Sequence, residues 1–205
     1  MYLFTDLPFI SKVAESREEF GNKVISIAQD LGVLPHWLMI VMNNESGLNP
    51  AAKNPTSSAS GLIQFMEPTA VQLGTTTAQL RAMTGVQQLD FVKKYFTAYG
   101  YHKKISSVAD TYLAIFFPLA LYKPDDYVFP KWASDANPIF DLNKDGTLTK
   151  EEFKNYVNNK YAAYIPKEDE EALARKKKVK TAVIITIVVV IVIAVAAWFI
   201  YKYKK

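Results

Sequence analysis

The stretch NNESGLNPAAKNPTSSASGLIQF, residues 43–65, holds one carboxylate, Glu45, in a run of amides, hydroxyls and glycines. The residues before it, PHWLMIVM (35–42), are mostly apolar and read as a buried helix opened by Pro35. Leu38, Val41, Met42 and Glu45 share one face of that helix at its 3.6-residue period. A carboxyl there meets two effects that disfavour its charged form: loss of water, and the partial negative charge at a helix C-terminus. A group held protonated near neutral pH is what general acid catalysis needs. The alternative is a glutamate that rolls into solvent at a fraying helix end.

Upstream, SREE at 16–19 is a capping-box pattern, and Phe20, Val24, Ile27, Ala28 and Leu31 recur at helical spacing before Gly32. Downstream, residues 50–60 form a polar loop. Residues 68–73, 77–82 and 85–99 read as short helices, and 107–122 as a very apolar helix broken or bent at Pro118. Strand patterns are scarce, so the expected fold class is mostly α.

The composition narrows the function classes. Half of the 205 residues are apolar and 13% are aromatic, enough for a core in the first ~165 positions. The absence of cysteine excludes disulfides and thiolate metal sites. Only His36 and His102 are present, which argues against a histidine zinc site or a Ser-His-Asp triad. The net charge of +4 is unevenly spread: residues through Ile165 carry 15 Lys/Arg and 16 Asp/Glu, and those after it 9 and 4. A nucleic-acid partner is not expected, because it would call for positive charge on the folded part.

The whole segment around Glu45 resembles the signature of SLT-type lytic transglycosylases, in the superfamily that includes goose-type lysozymes. The residues that carry the resemblance are Glu45-Ser46, Asn49-Pro50, Gly61-Leu62-Ile63-Gln64 and Pro68-Thr69-Ala70, over about residues 20–122. It implies a lysozyme-like domain that cuts the β-1,4 bond between N-acetylmuramic acid and N-acetylglucosamine in peptidoglycan. It makes Glu45 the single catalytic acid and Gln64 a cleft residue that contacts the sugar. Ser46 and Asn54 fall in the same substrate-binding loop. Tyr112, in DTYLAIFFP, matches a tyrosine that the family sets near the acid, in a form similar to phage-type members. Trp37, Phe65 and several tyrosines are candidate platforms for sugar faces. The chemistry needs no second carboxylate, because the substrate's own N-acetyl group stabilises the cationic centre and its C6 hydroxyl closes a 1,6-anhydro ring. A goose-type muramidase, the hydrolytic alternative, needs a positioned water, with Asp90, Asp110 and Glu67 as candidate second carboxylates.

DLNKDGTLTKEE, residues 141–152, fits the EF-hand loop at every defined position. Asp141, Asn143 and Asp145 would supply side-chain oxygens, Thr147 its backbone carbonyl, Thr149 a contact through water, and Glu152 a bidentate carboxylate. A single loop of this kind is expected to hold a structural Ca²⁺. No organic cofactor is expected.

Ala182 to Ile200, AVIITIVVVIVIAVAAWFI, is 19 residues long with only Thr186 polar. As a helix it spans roughly 28 Å, about one bilayer core. Five Lys/Arg lie just before it and three after, and Trp198, Tyr201 and Tyr203 suit a membrane interface. The positive-inside bias places the folded part on the cytoplasmic or equivalent side. MYLFTDLPFI lacks a basic n-region and a long apolar run, so no signal peptide is expected. The expected organisation is a transglycosylase domain at 1–135, the calcium loop and helix at 136–165, a charged linker helix at 166–180, a transmembrane helix at 181–201 and a basic tail at 202–205.

The leading reading is a membrane-anchored peptidoglycan-cleaving enzyme, with glycan strands and a lipid bilayer as partners. A non-catalytic peptidoglycan-binding or structural membrane protein is the second. A calcium-regulated membrane signalling protein is the third, and it ignores residues 45–64. Peptidoglycan lies outside the cytoplasmic membrane. The anchor therefore implies either outward insertion despite the charges or a bacteriophage that carries the enzyme on an internal virion membrane, with membrane or capsid proteins as neighbours. The YLAIFFP stretch fits the second setting.

Overall fold

The structure is a computed structural model that describes residues 2–203. It is mostly helical, as expected, and the described residues include no strand. They form only isolated bridges such as Ser60 with Phe65 and Val128 with Thr149. The chain divides into two compact units, one ending at Pro166 and one starting at Lys167.

In the first unit, α1 (Arg17–Leu31) starts where the Ser16 hydroxyl accepts from the Glu19 amide at 3.3 Å, and stops at left-handed Gly32. Its buried stripe is Phe20, Val24, Ile27, Ala28 and Leu31, the residues whose spacing predicts it. The chain then bends by 116° into α2 (Pro35–Ser46). Every residue of α2 from Pro35 to Met42 is buried, so the helix is wrapped on all sides and not packed by one stripe. It is the centre of the fold: α1 packs on α2 and on α5 (Gly85–Ala98), and α6 (Val108–Phe116) also packs on α2. Two short helices, α3 (Glu67–Gln72) and α4 (Thr77–Ala82), follow the polar loop.

The stretch 107–122 breaks at Pro118. Phe117, the residue before the proline, leaves helical geometry at φ −152° and ψ 77°, and a 3-10 turn, Pro118–Tyr122, follows. The segment that carries the EF-hand pattern folds into the same unit. It contains α7 (Lys131–Ala136) and α8 (Lys150–Tyr161), and α8 packs on α6. Phe153 of α8 is fully buried, with Phe140 and Phe116 centred 4.8 and 5.2 Å from it.

The second unit is α9 (Lys167–Tyr203), one unbroken helix. Linker and apolar segment are therefore continuous, which suits an acidic start at Glu168–Glu170 and no helix breaker before the span. Its residues 167–196 have a mean hydropathy of 2.9 over the most apolar window, long and apolar enough to cross a membrane. Ile184, Val188 and Ile191 are each more than half exposed. Lys204 and Lys205, the end of the expected basic tail, lie outside the described residues.

Candidate active site

Glu45 lies in the last turn of α2. The helix stops there because Gly47 takes a left-handed conformation, φ 64°, and turns its amide back to the Asn43 carbonyl at 2.9 Å. The Leu48 amide adds a second return bond, to Met42. A residue with a Cβ pays a steric penalty at Gly47, so the glycine after Glu45-Ser46 is what fixes the acid at the helix end. Glu45 is half-buried, and desolvation pushes its carboxyl up to about 7. The expectation of an acid that resists ionisation thus agrees with its surroundings.

Two tyrosines share its surroundings. Tyr112 of α6 interacts electrostatically with Glu45 and hydrogen-bonds Asn44, the residue beside it. Tyr95 of α5 also feels the Glu45 charge, and its hydroxyl donates to the Ala114 carbonyl at 2.7 Å. Burial, first, and then neighbouring charge push both phenols well above the usual tyrosine range, so both keep their protons when Glu45 ionises. Sequence reasoning picked out Tyr112 and missed Tyr95. The available signal was a tyrosine on the apolar stripe of α5, in register with Leu89 and Val92.

The loop after Glu45 is held against the helix end by Ser46. Its hydroxyl lies 3.0 Å from both the Met42 and the Leu62 carbonyls, so it ties the end of α2 to the Gly61–Gln64 turn. Ser46, expected at the substrate, is committed to backbone. Gln64 takes a left-handed conformation at φ 52°, and its side-chain amide donates to the Gly61 carbonyl at 3.1 Å. It is half-buried in a turn that Ser46 anchors to the helix of Glu45. Asn54 caps a turn of its own loop, its Oδ1 accepting from the Thr56 amide at 2.9 Å and hydroxyl at 3.0 Å. Phe65 is only 2% exposed and sets its ring 6.2 Å from Tyr95 in an edge contact, so it supports that tyrosine and presents no face to a sugar. Trp37, 1% exposed, is likewise core.

Gln88 does what no local pattern announces. It is fully buried, and its Oε1 accepts from the Leu62 amide at 2.9 Å. Its Nε2 donates to Pro50 O at 2.6 Å and Leu80 O at 2.5 Å. One side chain thus joins both ends of the polar loop to α4. Gly61 makes room for it, since a Cβ there would strike the Gln88 amide, and its φ of 76° already disfavours any other residue. Gln88→Ala takes the side-chain partner from the Pro50 carbonyl and the Leu62 amide, while the Leu80 carbonyl keeps its bond from the Met83 amide. It should lower unfolding stability by about 3 kcal/mol, read as a shift in the urea midpoint of the unfolding curve.

The candidate second carboxylates are engaged elsewhere. Glu67 accepts from the Thr77 amide at 2.9 Å and from the Thr77 hydroxyl, which holds its carboxyl below the usual range. Asp110 accepts from the amide and hydroxyl of Ser106, at 2.9 and 2.7 Å. Asp90 pairs with Lys23 at 2.8 Å.

Residues 22–93 match the family model of the transglycosylase SLT domain. These residues belong to the SLT transglycosylase family. No curated protein matches the chain. The match spans α1 to most of α5 and contains Glu45, the polar loop and Gln64. Tyr95, Tyr112 and all of α6 to α9 lie beyond it. Peptidoglycan is the substrate class that this family implies, and the SLT domain is lysozyme-like and helical, as the residues after Glu45 predict.

Outside the SLT match, the loop 141–152 folds around its own hydrogen bonds. Asp141 Oδ2 accepts from Gly146 N at 2.9 Å, Asn143 Oδ1 from Asp145 N at 2.9 Å, and Asp145 Oδ1 from Thr147 N at 2.8 Å. Glu152 Oε2 caps α8 by accepting from the amide and hydroxyl of Thr149, at 2.9 and 2.8 Å. No cluster of three His, Cys, Asp or Glu side chains is gathered for a metal among the described residues. Yet Asp141 Oδ1 and Glu152 Oε1, at the first and last positions of the loop, are buried with no hydrogen-bond partner. Buried carboxylate oxygens left in that state are costly unless a cation or water meets them.

Proposed function

We propose that the chain is a membrane-anchored lytic transglycosylase that cleaves the β-1,4 bond between N-acetylmuramic acid and N-acetylglucosamine, with Glu45 as its only acid and base. The observation that carries this reading is the Glu45 carboxyl, pushed up to about 7 at the helix end of an SLT domain. In the protonated form it donates its proton to the bridging oxygen, and the C1–O bond breaks as N-acetylglucosamine leaves with a free 4-hydroxyl. The substrate's N-acetyl carbonyl supports the charge at C1. The Glu45 carboxylate then takes the proton of the C6 hydroxyl, and that oxygen closes on C1. No water is consumed, and Glu45 ends as it began. Tyr112, which keeps its proton, supplies a hydroxyl near Glu45 while it is charged, and Tyr95 spends its own on the Ala114 carbonyl. Gln64 holds the sugar from the turn that Ser46 ties down.

The commitments of Glu67, Asp110 and Asp90 favour the anhydro route over hydrolysis, since each is engaged away from a water-activating role. Muropeptides released from purified peptidoglycan should therefore carry 1,6-anhydromuramic acid, 18 Da lighter than the hydrolytic product by the mass of one water. Reducing-end muramic acid as the sole product would overturn the route.

The reading also gives the loop 141–152 a structural Ca²⁺. Asp141, Asn143, Asp145, the Thr147 carbonyl and Glu152 are the groups that would hold it, and the two partnerless oxygens of Asp141 and Glu152 fit a cation of that kind. Bound there, it would neutralise carboxylates at the start of α8. The apolar length of α9 supports attachment to a bilayer. A setting on the internal membrane of a bacteriophage virion follows from the resemblance to phage-type members.

A further inference from the structure

At the edge of the SLT match, lined by Asn44, the chain neighbour of Glu45, the first unit has a cavity of about 230 Å³. Asn44 and Tyr112 line one side, and Asn137, Tyr156, Lys160 and Tyr161, with the apolar Ile139 and Phe140, line the other from the segment that contains α7 and α8. The two walls are joined: Tyr161 donates to Asn44 Oδ1 at 2.6 Å, and Asn44 in turn hydrogen-bonds Tyr112. The cavity is thus linked by hydrogen bonds to Asn44, the chain neighbour of Glu45, and to Tyr112, which feels the Glu45 charge.

Its chemistry is that of a site for an anion. None of its lining residues is acidic, and one is a cation. Lys160 Nζ stands 5.4 Å from the Tyr156 ring centre and 5.2 Å from that of Tyr161, so two aromatic faces hold the ammonium in place. Desolvation works to lower its pKa, but interactions with the Tyr161 and Tyr156 hydroxyls outweigh it and keep the group charged. A subsite for a neutral sugar would have no use for a fixed cation. In peptidoglycan the sugar backbone is neutral, and the negative charge is on the free carboxylates of the peptide borne by each muramic acid.

We infer that this cavity is a subsite for the carboxylate-bearing peptide of the muramic acid unit bound at Glu45, with Lys160 as its charge partner and the Asn44 amide and Tyr156 hydroxyl as hydrogen-bond donors. The inference rests on the transglycosylase reading for the identity of the substrate. It gives α8 a function: the segment after the SLT domain completes the cleft and makes it select glycan that still carries acidic peptides.

The test is calorimetric titration of the full chain in detergent micelles with two forms of one ligand. Both are the N-acetylglucosaminyl-N-acetylmuramyl disaccharide, which lacks the scissile bond, joined to a stem tetrapeptide. In one form the peptide carboxyls are free, and in the other all are amidated. The acidic form should bind about tenfold tighter, the size of one charge-assisted hydrogen bond, with the gap narrowing as salt rises. Lys160→Gln should bind both forms alike, and Lys160→Arg should restore the gap. Equal binding of the two forms by the unchanged chain, or a gap that persists in Lys160→Gln, overturns the subsite. Cleavage of intact peptidoglycan is scored separately. A chain that shows the gap yet cuts no strand keeps the subsite and loses the glycosidase reading, and a chain that cuts strands without the gap does the reverse.

Discussion

Glu45→Gln should cut the rate of peptidoglycan cleavage by about 10³-fold, the usual scale for a general acid and base, and at the same time make the folded protein more stable above neutral pH. The two effects have one cause. Burial lifts the Glu45 carboxyl from 4.5 to about 7, so between those values the folded chain holds a proton that the unfolded chain has released. Stability is therefore greatest below pH 4.5 as far as this group is concerned. It falls as pH rises from there to about 7, beyond which the charged carboxylate imposes a constant cost. Glutamine keeps the shape and carries no charge. The variant should gain about 3 kcal/mol over the unchanged chain at pH 8, and nothing at pH 4. The unchanged enzyme should lose kcat/KM as pH rises through about 7, as its acid ionises. Turbidity loss of cell-wall suspensions and thermal melts at the two pH values read all of this. A variant that clears cell walls at the normal rate removes Glu45 from the mechanism, and a variant destabilised at pH 8 contradicts the burial argument.

Chelation should have the second largest effect. At a calcium concentration a hundredfold above the dissociation constant, a site present only in the folded state adds about 2.7 kcal/mol. For a unit of this size that is a fall in Tm of roughly 5 to 10 °C on adding EDTA. Asp141→Ala should lower Tm in calcium by a similar amount and make it insensitive to EDTA. Activity should fall as well. The loop ends in the Glu152 cap of α8, and the same helix carries Tyr161, whose hydroxyl donates to Asn44, the residue before Glu45. An EDTA melt that coincides with the calcium melt removes the metal from the account. A Tm shift without loss of activity removes only the link along α8.

Part of the site was legible in the sequence: Glu45 stood on the apolar stripe of its helix, and the Gly61–Gln64 motif lay within twenty residues of it. That Gly47 stops the helix and that Gly61 admits the Gln88 side chain emerged only in the fold. Tyr112 was legible only through family resemblance. Tyr95 and Gln88 were not legible, because an isolated tyrosine or glutamine on a helical stripe carries no mark of what it will face. Ser46, Asn54 and Phe65 were expected at the sugar because they sit in the signature loop. In the fold, Ser46 and Asn54 spend their polar atoms on that loop, and the Phe65 ring is covered by Tyr95. A signature records which residues a loop needs, and some of those are needed to shape the loop.

What the sequence by itself determined is therefore local or additive. Capping at Ser16 and Pro35 and the stop at Gly32 depend on a few adjacent dihedral angles and bonds. The apolar run in α9 depends on summed transfer energies. The pattern of the loop 141–152 depends on fixed offsets along twelve residues. Only the tertiary structure decided that α5 and α6 bring Tyr95 and Tyr112 within reach of the Glu45 charge, that Gln88 clamps the polar loop, and that Lys160 of α8 lines a cavity with Asn44 and Tyr112. Desolvation and charge coupling act through space between residues tens of positions apart, and no spacing along the chain encodes how much water a folded neighbour will exclude.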